Sequence, residues 1–200
     1  MKTIFKTLFF ILCFSQNVVA QKELSIKMHS DPKPWGNDEM QSLAEWQNLD
    51  YHKIKFTGKQ LKGKNYYIVS KEFWRGEVTK SDTIFKSGKL IFQPVQSDTL
   101  AFSIMGGRIS DKTLRTDFKF DRFSIEADFD CKDTNEYSLR AHEWLPIEPG
   151  QPFYAFSYIL PYEQGDYKYY CAVEGSGKDM EKWYQEFGIE HYVLFEMKFY

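Results

Sequence analysis

Period-two alternation constrains this chain most. Tyr67, Val69, Lys71 and Phe73 fall on one side of an extended segment and Tyr66, Ile68 and Ser70 on the other. Phe123, Ile125, Ala127, Phe129 and Cys131 alternate in the same way with acidic and polar neighbours. This is the pattern of strands buried on one face, and a helical period does not produce it. It begins at Leu24, Ile26 and Met28, and residues 51–57 continue it. A hairpin is predicted over 65–85, turning at Arg75-Gly76, because glycine accepts the positive φ of a tight turn. Further strands are predicted at 90–95, 99–105, 118–120, 123–131, 137–141, 153–160 and 167–173. Gly106-Gly107 and Pro149-Gly150 read as turns, and 29–37, with Pro32, Pro34 and Gly36, as a loop.

Two short helices interrupt the strands. Asn37 or Asp38 can cap the first, which places Met40, Leu43 and Ala44 on one face. Met180, Trp183, Tyr184 and Phe187 follow helical spacing in the second, after a capping pair Ser176 and Asp179 and before a terminating Gly188. Residues 191–200 form a last strand with Val193, Phe195, Met197 and Phe199 on one face. Such a strand keeps those side chains out of water only if it is paired inside the core. The expected fold is therefore all-β and mainly antiparallel: a single-domain β-sandwich or a lipocalin-like barrel with two short helices. The order of helix, meandering strands, late helix and last strand resembles the lipocalin-type barrel. That family's Gly-x-Trp would fall at Gly63-Lys64-Asn65, which lacks the tryptophan, and the resemblance assigns no site residues. An outer-membrane barrel fits less well, since Lys198 and Glu196 share the face of the terminal Tyr200 and would meet lipid.

The first twenty residues have the form of a secretory signal peptide: Lys2 and Lys6, an apolar run from Leu8 to Phe14, then Val18-Val19-Ala20. The run is too short to span a bilayer, and no later segment is apolar for the roughly 20 residues required. Cys13 lacks the small neighbour of a lipobox. The expected organisation is residues 1–20 as signal peptide and 21–200 as one β-rich domain, either periplasmic or secreted. Removing the signal takes two lysines and no acid, so the formal charge moves from −2 to −4. That balance offers no basic stripe for nucleic acid or anionic lipid. Cys131 and Cys171 remain, and an even pair in an oxidising compartment predicts a disulfide.

No sequence motif assigns an activity. Gly175-Ser176-Gly177-Lys178 resembles part of a phosphate loop, but Ala172 and Asp179 stand where glycine and a hydroxyl residue are needed. His142-Glu143 starts a zinc-protease pattern that ends at Pro146 in place of histidine. Glu126, Asp128 and Asp130 read as a solvated acidic strand face, and no nucleophile elbow is present. Neither metal nor cofactor is expected.

Aromatic residues are the compositional excess, at 18% of the chain. Most are expected to pack across strands. Trp35, with His29 and Asp31 in the Pro/Gly loop, and Trp74 beside the hairpin turn are the candidate contact residues. The reading is an exported binding module for a small apolar or aromatic-stacking ligand, or for an envelope or extracellular protein. The alternatives are a hydrolase with a dispersed carboxylate or histidine site, and a structural or inhibitor-like envelope protein.

Overall fold

A computed structural model describes residues 25–32, 38–88, 93–170 and 179–200. The signal segment, Trp35, Ser176 and Cys171 lie outside these residues, as do 90–92 of the strand expected at 90–95, whose residues 93–95 are not in a strand.

Two antiparallel five-stranded sheets pack face to face. Sheet I has the order β1-β2-β5-β6-β7, built from β1 (Lys27–Asp31), β2 (Asp50–Thr57), β5 (Thr99–Ser110), β6 (Thr113–Lys119) and β7 (Ser124–Asp130). Sheet II has the order β4-β3-β12-β9-β8. Its strands are β3 (Tyr66–Trp74), β4 (Glu77–Lys86), β8 (Ser138–Ala141), β9 (Phe153–Ile159) and β12 (His191–Phe199). A separate hairpin joins β10 (Tyr162–Gln164) to β11 (Tyr167–Tyr169). The sheets do not close on each other, so the sandwich is the correct alternative and the barrel is not.

The final strand is the middle of sheet II, paired with β3 on one side and β9 on the other. Its odd-numbered residues face sheet I. Phe195 meets Phe118 and Phe129 edge-on at 5.6 and 5.7 Å between ring centres, and Phe56 meets Phe199 at 5.3 Å. Offset and edge-on rings of this kind fill the space between sheets with directional contacts as well as buried area. The even-numbered residues face outward, and of these Tyr192 and Leu194 are buried. Trp183, fully buried, packs on Tyr192, which stacks on Phe73 at 4.7 Å. Trp183 belongs to α2 (Trp183–Phe187), which follows a single 3-10 turn at Met180–Lys182 capped by the Asp179 side chain. Gly188, at φ 71°, ends it in the left-handed conformation.

Several expectations need correction. Gly106 and Gly107 lie inside β5 and make no turn. A Cβ on Gly106 would come within 3.1 Å of the Tyr158 ring, and one on Gly107 within 2.5 Å of Leu49, so both glycines serve close packing. The strand expected at 118–120 begins earlier, at Thr113. His29 and Asp31 sit in β1 and not in a loop, because β1 pairs with β2 as far as Asp31 opposite Lys53. Tyr167 and Tyr169 are exposed on the β10–β11 hairpin and do not form a core face. The first helix, α1 (Asp38–Trp46), buries only Ala44; Met40 and Leu43 are exposed. The hairpin turn is as expected, with Arg75 at φ 49° and Gly76 at φ 83°.

Candidate functional site

The most chemically varied depression lies at one edge of the sandwich, where β1 stops short. β1 ends opposite Lys53, so Asp50, Tyr51 and His52 of β2 have no neighbouring strand there. β8 of the other sheet approaches this gap, and side chains replace the missing pairing. The Asp50 carboxylate accepts the Leu139 N–H at 2.7 Å, and His52 Nε2 donates to the Leu139 carbonyl at 3.0 Å. That bond leaves His52 Nδ1 to accept from the Ser30 hydroxyl, 2.8 Å away. Both backbone groups of Leu139 on the open side are thereby satisfied.

Over this clasp opens a cleft of about 440 Å³. α1 contributes Gln41 and Glu45 to one wall; Tyr137, Arg140 and Tyr170 form the other. Gln41 donates to Glu45 at 2.8 Å, and the Arg140 guanidinium lies over the Tyr170 ring at 5.8 Å. Burial pushes the Asp50 carboxyl up to about 6, against the lowering effects of the Leu139 N–H and the Arg140 charge. The cleft therefore holds a carboxyl that changes charge near pH 6, a fixed cation and three tyrosines, Tyr51, Tyr137 and Tyr170.

This has a consequence for stability. Asp50 keeps its proton in the folded state up to about pH 6, whereas in the unfolded chain it loses it near its ordinary value of 3.8. Between those values the folded state binds more protons, so this group's contribution to stability falls as pH rises and is constant above the window. The change is on the order of 3 kcal/mol. Asp50→Asn keeps an acceptor for Leu139 but cannot ionise. Urea denaturation at pH 4, 5, 6 and 7 should show the variant gaining on the wild type across this range. Parallel curves would exclude a buried, titrating Asp50.

Behind the cleft a hydrogen-bonded chain enters the core. The Tyr137 oxygen accepts the Lys132 N–H at 3.1 Å and its hydroxyl donates to His191 Nδ1 at 2.6 Å. His191 Nε2 then donates to Glu72 at 3.3 Å, and Trp74 Nε1 donates to the same oxygen at 2.8 Å. Trp74 also stacks on His191 at 4.0 Å. Burial alone would raise the Glu72 carboxyl, but the bonds from His191 and Trp74 outweigh it and hold the group below its ordinary range. Glu72 and His191 are almost completely buried.

Of the candidate contact residues, Trp74 is half-buried and gives its indole N–H to this hydrogen-bonded chain. His29 is exposed and pairs with Glu143 at 3.3 Å, and Asp31 ends β1 opposite Lys53. His29 and Asp31 thus share the outer face of β1 in sheet I, while Trp74 lies in sheet II. Cys131 is buried, which raises its thiol, and its expected partner Cys171 lies outside the described residues. His142 is buried with no hydrogen bond on either ring nitrogen, and burial, aided by the Arg140 charge, pushes it down to about 3. It is therefore a neutral core imidazole. Among the described residues no group of three or more His, Cys, Asp or Glu side chains is placed to hold a metal ion, and no helix is long and apolar enough to cross a membrane.

Sequence reasoning missed Asp50, His52, Tyr137, Arg140 and His191. Only His191, polar within an apolar final strand, carried a local signal. The fold and cleft together define an antiparallel β-sandwich with a polar, tyrosine-walled edge site. The chain matches no protein family, no curated protein and no solved structure.

Proposed function

We propose that this chain is an exported binding module whose ligand enters the cleft over Asp50. One observation carries the reading: a titrating carboxyl, a fixed guanidinium and tyrosine rings converge on a single depression, while aromatic side chains fill the space between the sheets. A ligand that fits is small and polar, with a ring or planar face for Tyr170 and groups that hydrogen-bond to Asp50 and Arg140. The purely apolar ligand of a barrel interior has no counterpart here. Export and a Cys131–Cys171 disulfide belong to the same proposal. Its mature product would start at Gln21 and be lighter by two hydrogens than the reduced chain.

Native mass spectrometry of the protein from its own compartment tests the ligand, followed by titration of any bound species against Arg140→Ala. The expected result is a non-covalent added mass and at least tenfold weaker binding in the variant. A bare protein that binds no member of a sugar, amino-acid and nucleoside panel overturns the reading.

A hydrolase is the second reading. It is favoured by two carboxylates, Asp50 and Glu45, in one cleft, with Asp50 poised as an acid near pH 6. It predicts turnover with a pH-rate limb near 6 that disappears in Asp50→Asn.

A further inference from the structure

The two sheets differ in how their outer faces are finished. Trp183 packs on Tyr192 on the outer face of sheet II, whereas among the described residues no α-helix packs across the central strand of sheet I. Along β5 that face shows Ala101, Ser103 and Met105, with exposed Ile109 beyond; Gly107 lies buried beneath Leu49. These residues are small or apolar, and they form a shallow stripe between two charged flanks. The charges are segregated corner to corner. Strand register places Lys27 and Lys55 toward one end of β1 and β2, with Lys53 further along the face, opposite Asp31. Glu126, Asp128 and Asp130 of β7, with Asp117 of β6, lie at the diagonally opposite end. Arg115 offsets part of this acidity through Glu126, at 2.9 Å, and Asp128, at 2.7 Å.

We propose that the outer face of sheet I docks on the same face of a second copy of this chain. The charge pattern selects the symmetry. A two-fold axis lying in the face, perpendicular to the line between the basic and acidic corners, sets each basic corner over the other copy's acidic corner. With strands about 4.8 Å apart and about 3.4 Å per residue, the operation places Lys55 opposite Glu126 and Asp128 of the partner subunit. It also places Lys27 opposite Asp128 and Asp130 of the partner subunit, and Lys53 close to Asp117 of the partner subunit. Lys119 falls near the axis and meets its own copy there, beside an Asp117 from each subunit. The strands of the two copies cross at roughly 90°, one of the two common ways in which sheets pack. The β5 stripe lies at the centre, where small side chains allow close approach. The overlap is about 20 Å square and buries roughly 1,000 Å² in total, the lower bound for a specific interface. A reversible, salt-sensitive dimer follows, because much of its attraction is between exposed charges. The interface is isologous, as a closed two-fold requires. The edge cleft over Asp50 is not needed for this docking, so either proposal can fail without the other.

Sedimentation equilibrium of the mature chain at 10–200 µM, in 20 mM and 500 mM salt, tests the proposal with two charge-reversed variants. One carries Lys27→Glu and Lys55→Glu, the other Glu126→Lys and Asp128→Lys, each checked for folding by circular dichroism. The wild type is expected to dimerise at low salt and to dissociate at least tenfold more readily at high salt. Each variant alone is expected to be monomeric, since its two corners then have the same sign. An equimolar mixture of the two is expected to form a dimer again. A wild type monomeric at 200 µM and low salt overturns the proposal. So does a dimer that survives both reversals, or a mixture that stays monomeric.

Discussion

Phe195→Ala should lower the stability of this protein by about 3–5 kcal/mol, the usual cost of removing a buried phenylalanine from a core that cannot collapse. Phe195 is fully buried in the middle strand of sheet II and touches rings from two strands of sheet I, Phe118 and Phe129. The flanking strands β3 and β9 fix its backbone, so the void cannot close by a shift of the strand. Two edge-on ring contacts disappear with it, each worth about 0.5–1.5 kcal/mol beyond area. In a chain of this size the loss corresponds to a fall in Tm of about 10 °C. Phe195→Leu, which keeps most of the volume, should recover more than half of the loss. A cost under 1 kcal/mol for Phe195→Ala in urea denaturation would mean that the two sheets are not joined at this residue.

The same strand shows what was legible in the sequence. Val193, Phe195, Met197 and Phe199 alternate strictly, and that alternation was enough to place the strand inside the core. It was not enough to place it between β3 and β9, because register between distant segments depends on packing that one strand's pattern does not encode. The Gly106-Gly107 error has a clear physical cause. Glycine marks turns through φ and close approaches through its missing Cβ, and the letters alone do not distinguish the two. The ring of Tyr158, more than fifty residues away, decides the matter at Gly106. α1 lies where its cap and spacing place it, but of Met40, Leu43 and Ala44 on one face only Ala44 is buried. Helical periodicity reports a face without saying whether anything covers it.

The cleft was illegible for a related reason. Asp50, Arg140 and Tyr170 come from segments far apart in sequence, and each is ordinary in its own window. What makes Asp50 unusual is burial against β8 and a bond to the Leu139 N–H, which only the folded chain supplies. Trp74 drew attention beside its turn, but the structure directs its indole N–H into the core toward Glu72.

Glu72→Ala should be comparably costly, at about 3–5 kcal/mol, for an electrostatic reason. Glu72 is the acceptor at the end of the Tyr137–His191 chain, and its oxygen takes both the His191 Nε2–H and the Trp74 Nε1–H. Alanine leaves the imidazole donor buried without a partner, and an orphaned group costs its full desolvation. The bond directions make this specific. The ionised Glu72 carboxylate only accepts, so His191 Nε2 carries the proton between them and Nδ1 is left to accept from the Tyr137 hydroxyl. Glu72→Gln keeps an oxygen acceptor and should cost less than half as much. It should also remove an acid dependence. The folded Glu72 titrates below its ordinary 4.5, so its stabilising contribution is complete above that value and is lost as pH falls through the lower folded value. Denaturation curves from pH 3 to 7 for wild type, Glu72→Gln and Glu72→Ala separate the two components. If the charge matters, the gap between wild type and Glu72→Gln narrows below pH 4, while Glu72→Ala stays well below both because its orphaned donors remain. If Glu72→Ala were as stable as wild type, the buried chain would contribute nothing to holding β3, β12 and the 131–137 loop together.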